Sequence, residues 1–147
     1  SWLKYSCPYG KPGDTLWVRE TWDFRDWSDS PDDRQIMLMY GADGEQRLAI
    51  APEGWNPMVY GHERWRPSIH MPRWASRITL EVESVRVERL QAISEADAIA
   101  EGIKPFPSSP SKIPVMQYQD LWESINGPGS WQANPWVWVI TFKRVKP

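Results

Sequence analysis

The stretch Arg77-Ile78-Thr79-Leu80-Glu81-Val82-Glu83-Ser84-Val85-Arg86-Val87-Glu88-Arg89-Leu90 decides the reading of the fold. Its β-branched content and two-residue alternation predict a strand. Ile78, Leu80 and Val82 hold even positions, whereas Val85 and Val87 hold odd ones. The apolar phase therefore slips by one near Glu83-Ser84. A slip of one residue moves side chains to the opposite face, so a β-bulge is expected there. Bulged, bent strands are how small barrels turn corners.

Working outward, Lys11-Pro12-Gly13-Asp14 is a turn signal, and Leu16 to Trp22 should follow it as a strand. Residues 23–34 carry Asp23, Asp26, Asp29, Asp32 and Asp33 and read as a solvated acidic loop. Ile36–Tyr40, the turn Gly41-Ala42-Asp43-Gly44 and Arg47–Ile50 form a predicted hairpin. Residues 51–76 show no sustained period and read as a long loop anchored by Trp55, Trp65 and Trp74. Beyond the central strand, Ser94 is placed to cap a short helix with Asp97 as its reciprocal partner and Gly102 as its stop. Residues 104–114 hold four prolines and read as a loop, and Val115–Ile125 as a second helix. Trp136–Phe142 is apolar on both faces, which predicts a central, buried strand. The expected class is mainly β (α+β): about five strands and two short helices, curled into a pseudobarrel, in a single domain over 1–147.

Composition excludes several function classes. The chain has 147 residues, a formal net charge of -2 and 41% hydrophobic residues. A globally basic nucleic-acid coat is ruled out, though a local basic patch is not. The one cysteine, Cys7, excludes an intrachain disulfide and a multi-cysteine zinc site, and His62 and His70 lack ligand spacing, so no metal is expected. No apolar run reaches membrane-spanning length, so no membrane partner is expected, and no cofactor fingerprint is present. Tryptophan is the unusual residue, at 11 in the chain.

Three constellations could carry chemistry. The loop Arg64-Trp65-Arg66-Pro67-Ser68-Ile69-His70-Met71-Pro72-Arg73-Trp74-Ala75-Ser76-Arg77 interleaves basic and aromatic residues, the pattern that holds phosphates and stacks bases. The bland alternative is that its rings pack the core while its arginines pair with the acidic loop. Arg19-Glu20 puts charges inside a strand, where they must be paired or face a wet surface. Glu101 ends the first helix, either simply exposed or held for a ligand.

Three stretches together resemble phage- and prophage-encoded ASCH-domain proteins of the PUA-like superfamily. They are Cys7-Pro8-Tyr9-Gly10-Lys11-Pro12-Gly13-Asp14-Thr15-Leu16-Trp17-Val18-Arg19-Glu20-Thr21-Trp22, Trp65 to Arg77, and Asn126-Gly127-Pro128-Gly129-Ser130-Trp131 with Asn134-Pro135-Trp136-Val137-Trp138. The resemblance implies a PUA-like pseudobarrel, RNA or a modified nucleoside as partner, and a bacterial cytoplasmic location. Read as such a binding module, the chain is expected to place Trp17, Arg19, Glu20, Trp65, Arg66, His70, Arg73 and Trp74 at the ligand.

The family's N4-acetylcytidine amidohydrolases carry a Gly-x-Lys-x-x-x-x-Arg-like motif and a later Ala-x-x-Glu helix. Ala98-Ile99-Ala100-Glu101 matches that helix and implies Glu101 as the catalytic or ligand-orienting carboxylate. No such lysine motif stands before Pro12-Gly13-Asp14. By the resemblance, the first strand and helix are missing, and an exposed strand edge could pair with a second copy. Binding of RNA or a modified nucleobase is the leading expectation. Amide hydrolysis of an acylated base and a phage structural role stand as alternatives.

Overall fold

A computed structural model describes residues 6–28, 33–61, 64–104 and 113–146. Trp2, residues 29–32 of the expected acidic loop, His62 and most of the proline-rich loop after Lys104 lie outside them. The described residues hold six strands and three α-helices: β1 (Thr15–Trp17), β2 (Trp22–Trp27), β3 (Gln35–Tyr40), β4 (Gln46–Ile50), α1 (Pro57–Tyr60), β5 (Thr79–Arg89), α2 (Glu95–Ala100), α3 (Pro114–Asn126) and β6 (Trp136–Val145). The strands make two antiparallel three-stranded sheets, ordered β1-β5-β6 and β2-β3-β4. The class is thus mainly β with short helices. No helix among the described residues is long and apolar enough to cross a membrane.

The expected strand from Leu16 to Trp22 divides in two. Leu16 pairs with Leu80, Phe24 pairs with Leu38, and the two halves belong to different sheets. Arg19 and Glu20 sit in the break, where their charges find partners outside a ladder. The expected acidic loop is also corrected, because its first part is β2. A register shift lies between Arg25 and Trp27, where Asp26 takes φ +40°. β5 runs unbroken through Glu83-Ser84.

Compact packing divides the chain into two units. One comprises Ser1–Lys11 and Ser84–Thr141, the other Pro12–Glu83 and Phe142–Pro147. We call them the first and second unit. The division falls within β5 at the site of the apolar phase slip, and again within β6.

The second unit has an aromatic core. Trp22, Phe24, Ile36, Leu38 and Tyr40 are buried on one face of the β2-β3-β4 sheet, with Met71 and Ala75 from the loop beyond. The alternation of β3 explains this, since Ile36, Leu38 and Tyr40 share one face. Trp55 packs edge-on to Phe24 (5.0 Å) and to Trp74 (5.4 Å), so the long loop anchors itself with its own rings. β4 ends its sheet and leaves Leu48 and Ile50 exposed.

The first unit holds α2 and α3. Ser94 caps α2 by accepting from the Asp97 N–H, and the Asp97 carboxylate returns to Ser94, as the sequence predicts. α3 starts at Pro114 and stops at Gly127, whose φ of +94° suits a residue without a Cβ. Trp131 is buried after its Gly-Pro-Gly turn and meets Tyr118 edge-on at 6.4 Å. β6 differs from expectation. It lies at one end of the sheet order, and no residue of it is fully buried.

Candidate functional site

The second unit assembles its basic and aromatic residues into two kinds of arrangement. In the first, charge is consumed. Arg77 forks onto Glu20, Nε donating to Oε2 (2.9 Å) and Nη2 to Oε1 (2.6 Å). Its Nη1 meets Asp43 (3.0 Å) and Glu45 (2.5 Å), and its guanidinium lies 4.1 Å over the Tyr40 ring. These hydrogen bonds, the Glu20 one above all, hold the Arg77 pKa above its ordinary value. Asp43 is held low, first by the Glu45 backbone N–H and then by Arg77.

Arg66 is consumed in the same way. Its Nη1 donates to Oδ1 of the fully buried Asp23 at 2.6 Å and also to the Arg64 carbonyl, while Nη2 donates to the Gly61 carbonyl. Backbone bonds between Arg66 and Trp22, at 2.8 and 3.1 Å, fix the loop against β2. Glu20 and Arg66, expected at the ligand, are therefore structural anchors in this arrangement.

In the second arrangement, charge is exposed. Arg19 and Arg73 both place guanidiniums over the Trp17 ring, at 4.8 and 5.8 Å. Arg19 also donates to the Ile69 carbonyl, and Arg73 to Thr79 Oγ1. Close in sequence, Arg64, Trp65, Arg66, Pro67 and His70 line an open groove of about 560 Å³. Trp65 and His70 are exposed there, His70 at the end of the 3-10 turn Ser68–His70. Trp74 faces elsewhere: it stands edge-on to Trp22 and Trp55 beside the core.

Glu101 belongs to the first unit, at the C-cap of α2, and is exposed, the plainer of the two expectations for it. It helps line a cavity of about 320 Å³ with Tyr118, Trp122, Trp136, Arg86 and Glu88. That volume lies at the small end of ligand pockets, which span roughly 300–1,000 Å³. Burial, and then the Glu101 charge, push the Tyr118 phenol above its ordinary pKa. The Trp122 indole N–H is buried and has no hydrogen-bond partner among the described residues. No hydrogen bond or ion pair ties the Glu101 carboxylate among the described residues.

Sequence reasoning missed most of this cavity, because it placed Trp136 and Trp138 in a central, buried strand. Trp136 is instead about half exposed, with Arg89 stacked on it at 4.1 Å. The available signal was the phase slip in β5. Its even positions change there from apolar Leu80 and Val82 to Arg86 and Glu88, which line the cavity. Among the described residues no cluster of His, Cys, Asp and Glu could hold a metal ion. No family model, curated protein sequence or solved structure matches the chain.

Proposed function

We propose that the chain is a PUA-like, ASCH-type module, phage or prophage in origin, that binds RNA or a modified nucleobase in a bacterial cytoplasm. One observation carries the reading: Glu101, a carboxylate with no partner among the described residues, shares a base-sized cavity with aromatic side chains and the Trp122 N–H, which likewise has none among them. Rings stack on a heterocycle, a carboxylate accepts from an exocyclic amine, and an indole N–H donates to a ring carbonyl. In the second unit, the exposed groove around Trp65 and the Arg19 and Arg73 guanidiniums supply stacking and phosphate contacts suited to a single strand. The antiparallel sheets with short connecting helices support the same reading.

Calorimetry with a nucleoside panel and a short single-stranded RNA tests it. Glu101→Ala, which removes the acceptor itself, should weaken nucleoside binding about tenfold and leave RNA binding nearly unchanged. Trp65→Ala with Arg19→Ala should do the reverse and flatten the salt dependence of RNA binding. A folded protein that binds neither at low salt sinks the proposal.

A second reading, hydrolysis of an acylated base, draws on the juxtaposition of Glu101 with Tyr118. A carboxylate beside a phenol can pass a proton to the leaving amine while water attacks the acyl carbon in amide cleavage. Acetylcytidine turnover measured by chromatography tests it, and Glu101→Gln should abolish any turnover found. Self-association through a strand edge belongs to the same proposal. β4 is the edge it would use, and Leu48→Lys should then reduce the sedimenting mass.

A further inference from the structure

The charge of the first unit's cavity narrows what it takes, granted the base-binding reading above. Its lining holds three carboxylates, Glu88, Asp97 and Glu101, against two guanidiniums, Arg86 and Arg89, a formal balance of -1. Most of these charges are engaged. Arg86 Nε bonds Glu88 at 2.6 Å, and its Nη2 stands 4.0 Å from Asp97. Asp97 is locked in the cap of α2 with Ser94. Arg89 donates to the Asn134 carbonyl at 3.1 Å while it stacks on Trp136. Glu101 is the carboxylate left over.

Three ligand chemistries can be ranked against that inventory. A phosphate would meet a net negative lining and an unpaired carboxylate, so it is disfavoured. A neutral base would stack but leave the Glu101 charge uncompensated on desolvation. A planar cation gains on both counts, since it offsets the carboxylate and stacks by cation–π attraction. The cavity already holds one such cation–π pair, the delocalised Arg89 cation placed 4.1 Å over the Trp136 ring.

We propose that this cavity selects a positively charged nucleobase, of the ring-N-methylated class. The charged ring lies on an indole face, its exocyclic amine donates to Glu101, and a ring carbonyl accepts from Trp122 Nε1. 3-Methylcytosine has all three features.

An isomer pair isolates the charge. 3-Methylcytidine is protonated and cationic at neutral pH, whereas N4-methylcytidine has the same heavy atoms and no charge. Calorimetry at neutral pH and low salt should show 3-methylcytidine binding about tenfold tighter, or about 1.4 kcal/mol. Glu101→Gln should erase most of that difference while leaving N4-methylcytidine binding nearly unchanged. Trp122→Phe should weaken both isomers alike, because both keep the ring carbonyl. Equal binding of the two isomers overturns the charge selection but leaves base binding standing. A preference that survives Glu101→Gln also overturns it. Binding of neither isomer, by a sample shown folded by its near-ultraviolet dichroism, removes the base-binding reading as well.

Discussion

Arg77 in the second unit and Glu101 in the first are both charged groups in aromatic surroundings, and they are opposites in how they are satisfied. Arg77 sits on the Tyr40 ring with three carboxylates around it, and its own side chain is 8% exposed. Glu101 shares its cavity with rings and has no partner among the described residues. A charge that holds a fold together must be paired, because an unpaired one costs several kcal/mol when buried. A charge kept at a cavity wall without a partner contributes little to stability and is available to a ligand. Substitutions in the first group should therefore act on folding, and in the second on binding.

The largest effect should come from Arg66→Met. It strands Asp23, whose side chain is 0% exposed, beside an arginine, Arg25, that is itself 37% exposed. Breaking a buried pair from one side costs about 3–5 kcal/mol, or roughly 10 °C of melting temperature in a chain of this size. Asp23→Leu combined with Arg66→Met should recover most of the loss, because an apolar pair leaves no buried charge orphaned and Arg25 reaches water. Urea denaturation of the single and double variants checks both. A double variant no better than the single would place the loss in the Gly61 and Arg64 carbonyl contacts of Arg66 instead.

Arg77→Gln should rank second. Glu20 loses its forked partner and is 9% exposed, whereas Asp43 and Glu45 are more than half exposed and regain water. A loss of about 2–4 kcal/mol is expected, nearly all from Glu20. Adding Glu20→Gln should offset much of it, and adding Asp43→Asn should change little. Thermal unfolding of the three variants separates the contributions.

These pairs also show what was legible in the sequence. The β3–β4 hairpin, the α2 capping box, α3 and the glycine stops were readable because local chemistry alone specifies them. The strand at Trp22–Trp27 was not, because Asp23 in an aspartate-rich run looks like solvated loop. Its pairing with Arg66, 43 residues away, together with the part-exposed Arg25, makes a buried aspartate tolerable. The alternative that loop arginines pair with the acidic segment was the correct one for Arg66. It did not extend to Arg73 of the same loop, which lies over Trp17 and donates to Thr79 Oγ1. β6 misled for a different reason. An apolar run reads the same in a central strand and in one whose tryptophans line a cavity, and only the sheet order distinguishes them.

The smallest effect is the most direct check on the contrast. Tyr118 and Tyr40 both have phenols held above the ordinary value of 10.0, each chiefly by burial. Only Tyr118 owes part of its rise to Glu101, while Tyr40 answers to Arg47, Arg77 and Glu20. Glu101→Gln should therefore lower the Tyr118 ionisation part of the way back, leave the burial contribution in place, and not move Tyr40. The sign for stability follows from linkage. A phenol with a raised folded pKa contributes stability that is complete below the unfolded value and lost as pH rises through the folded one. The variant should thus lose a little less stability than the parent between neutral and strongly alkaline pH. Ultraviolet difference titration reads the phenolates, with Tyr118→Phe assigning the shifted one. If the Tyr118 titration does not move, the Glu101 charge does not reach the cavity interior, and selection of a cationic base loses its electrostatic ground.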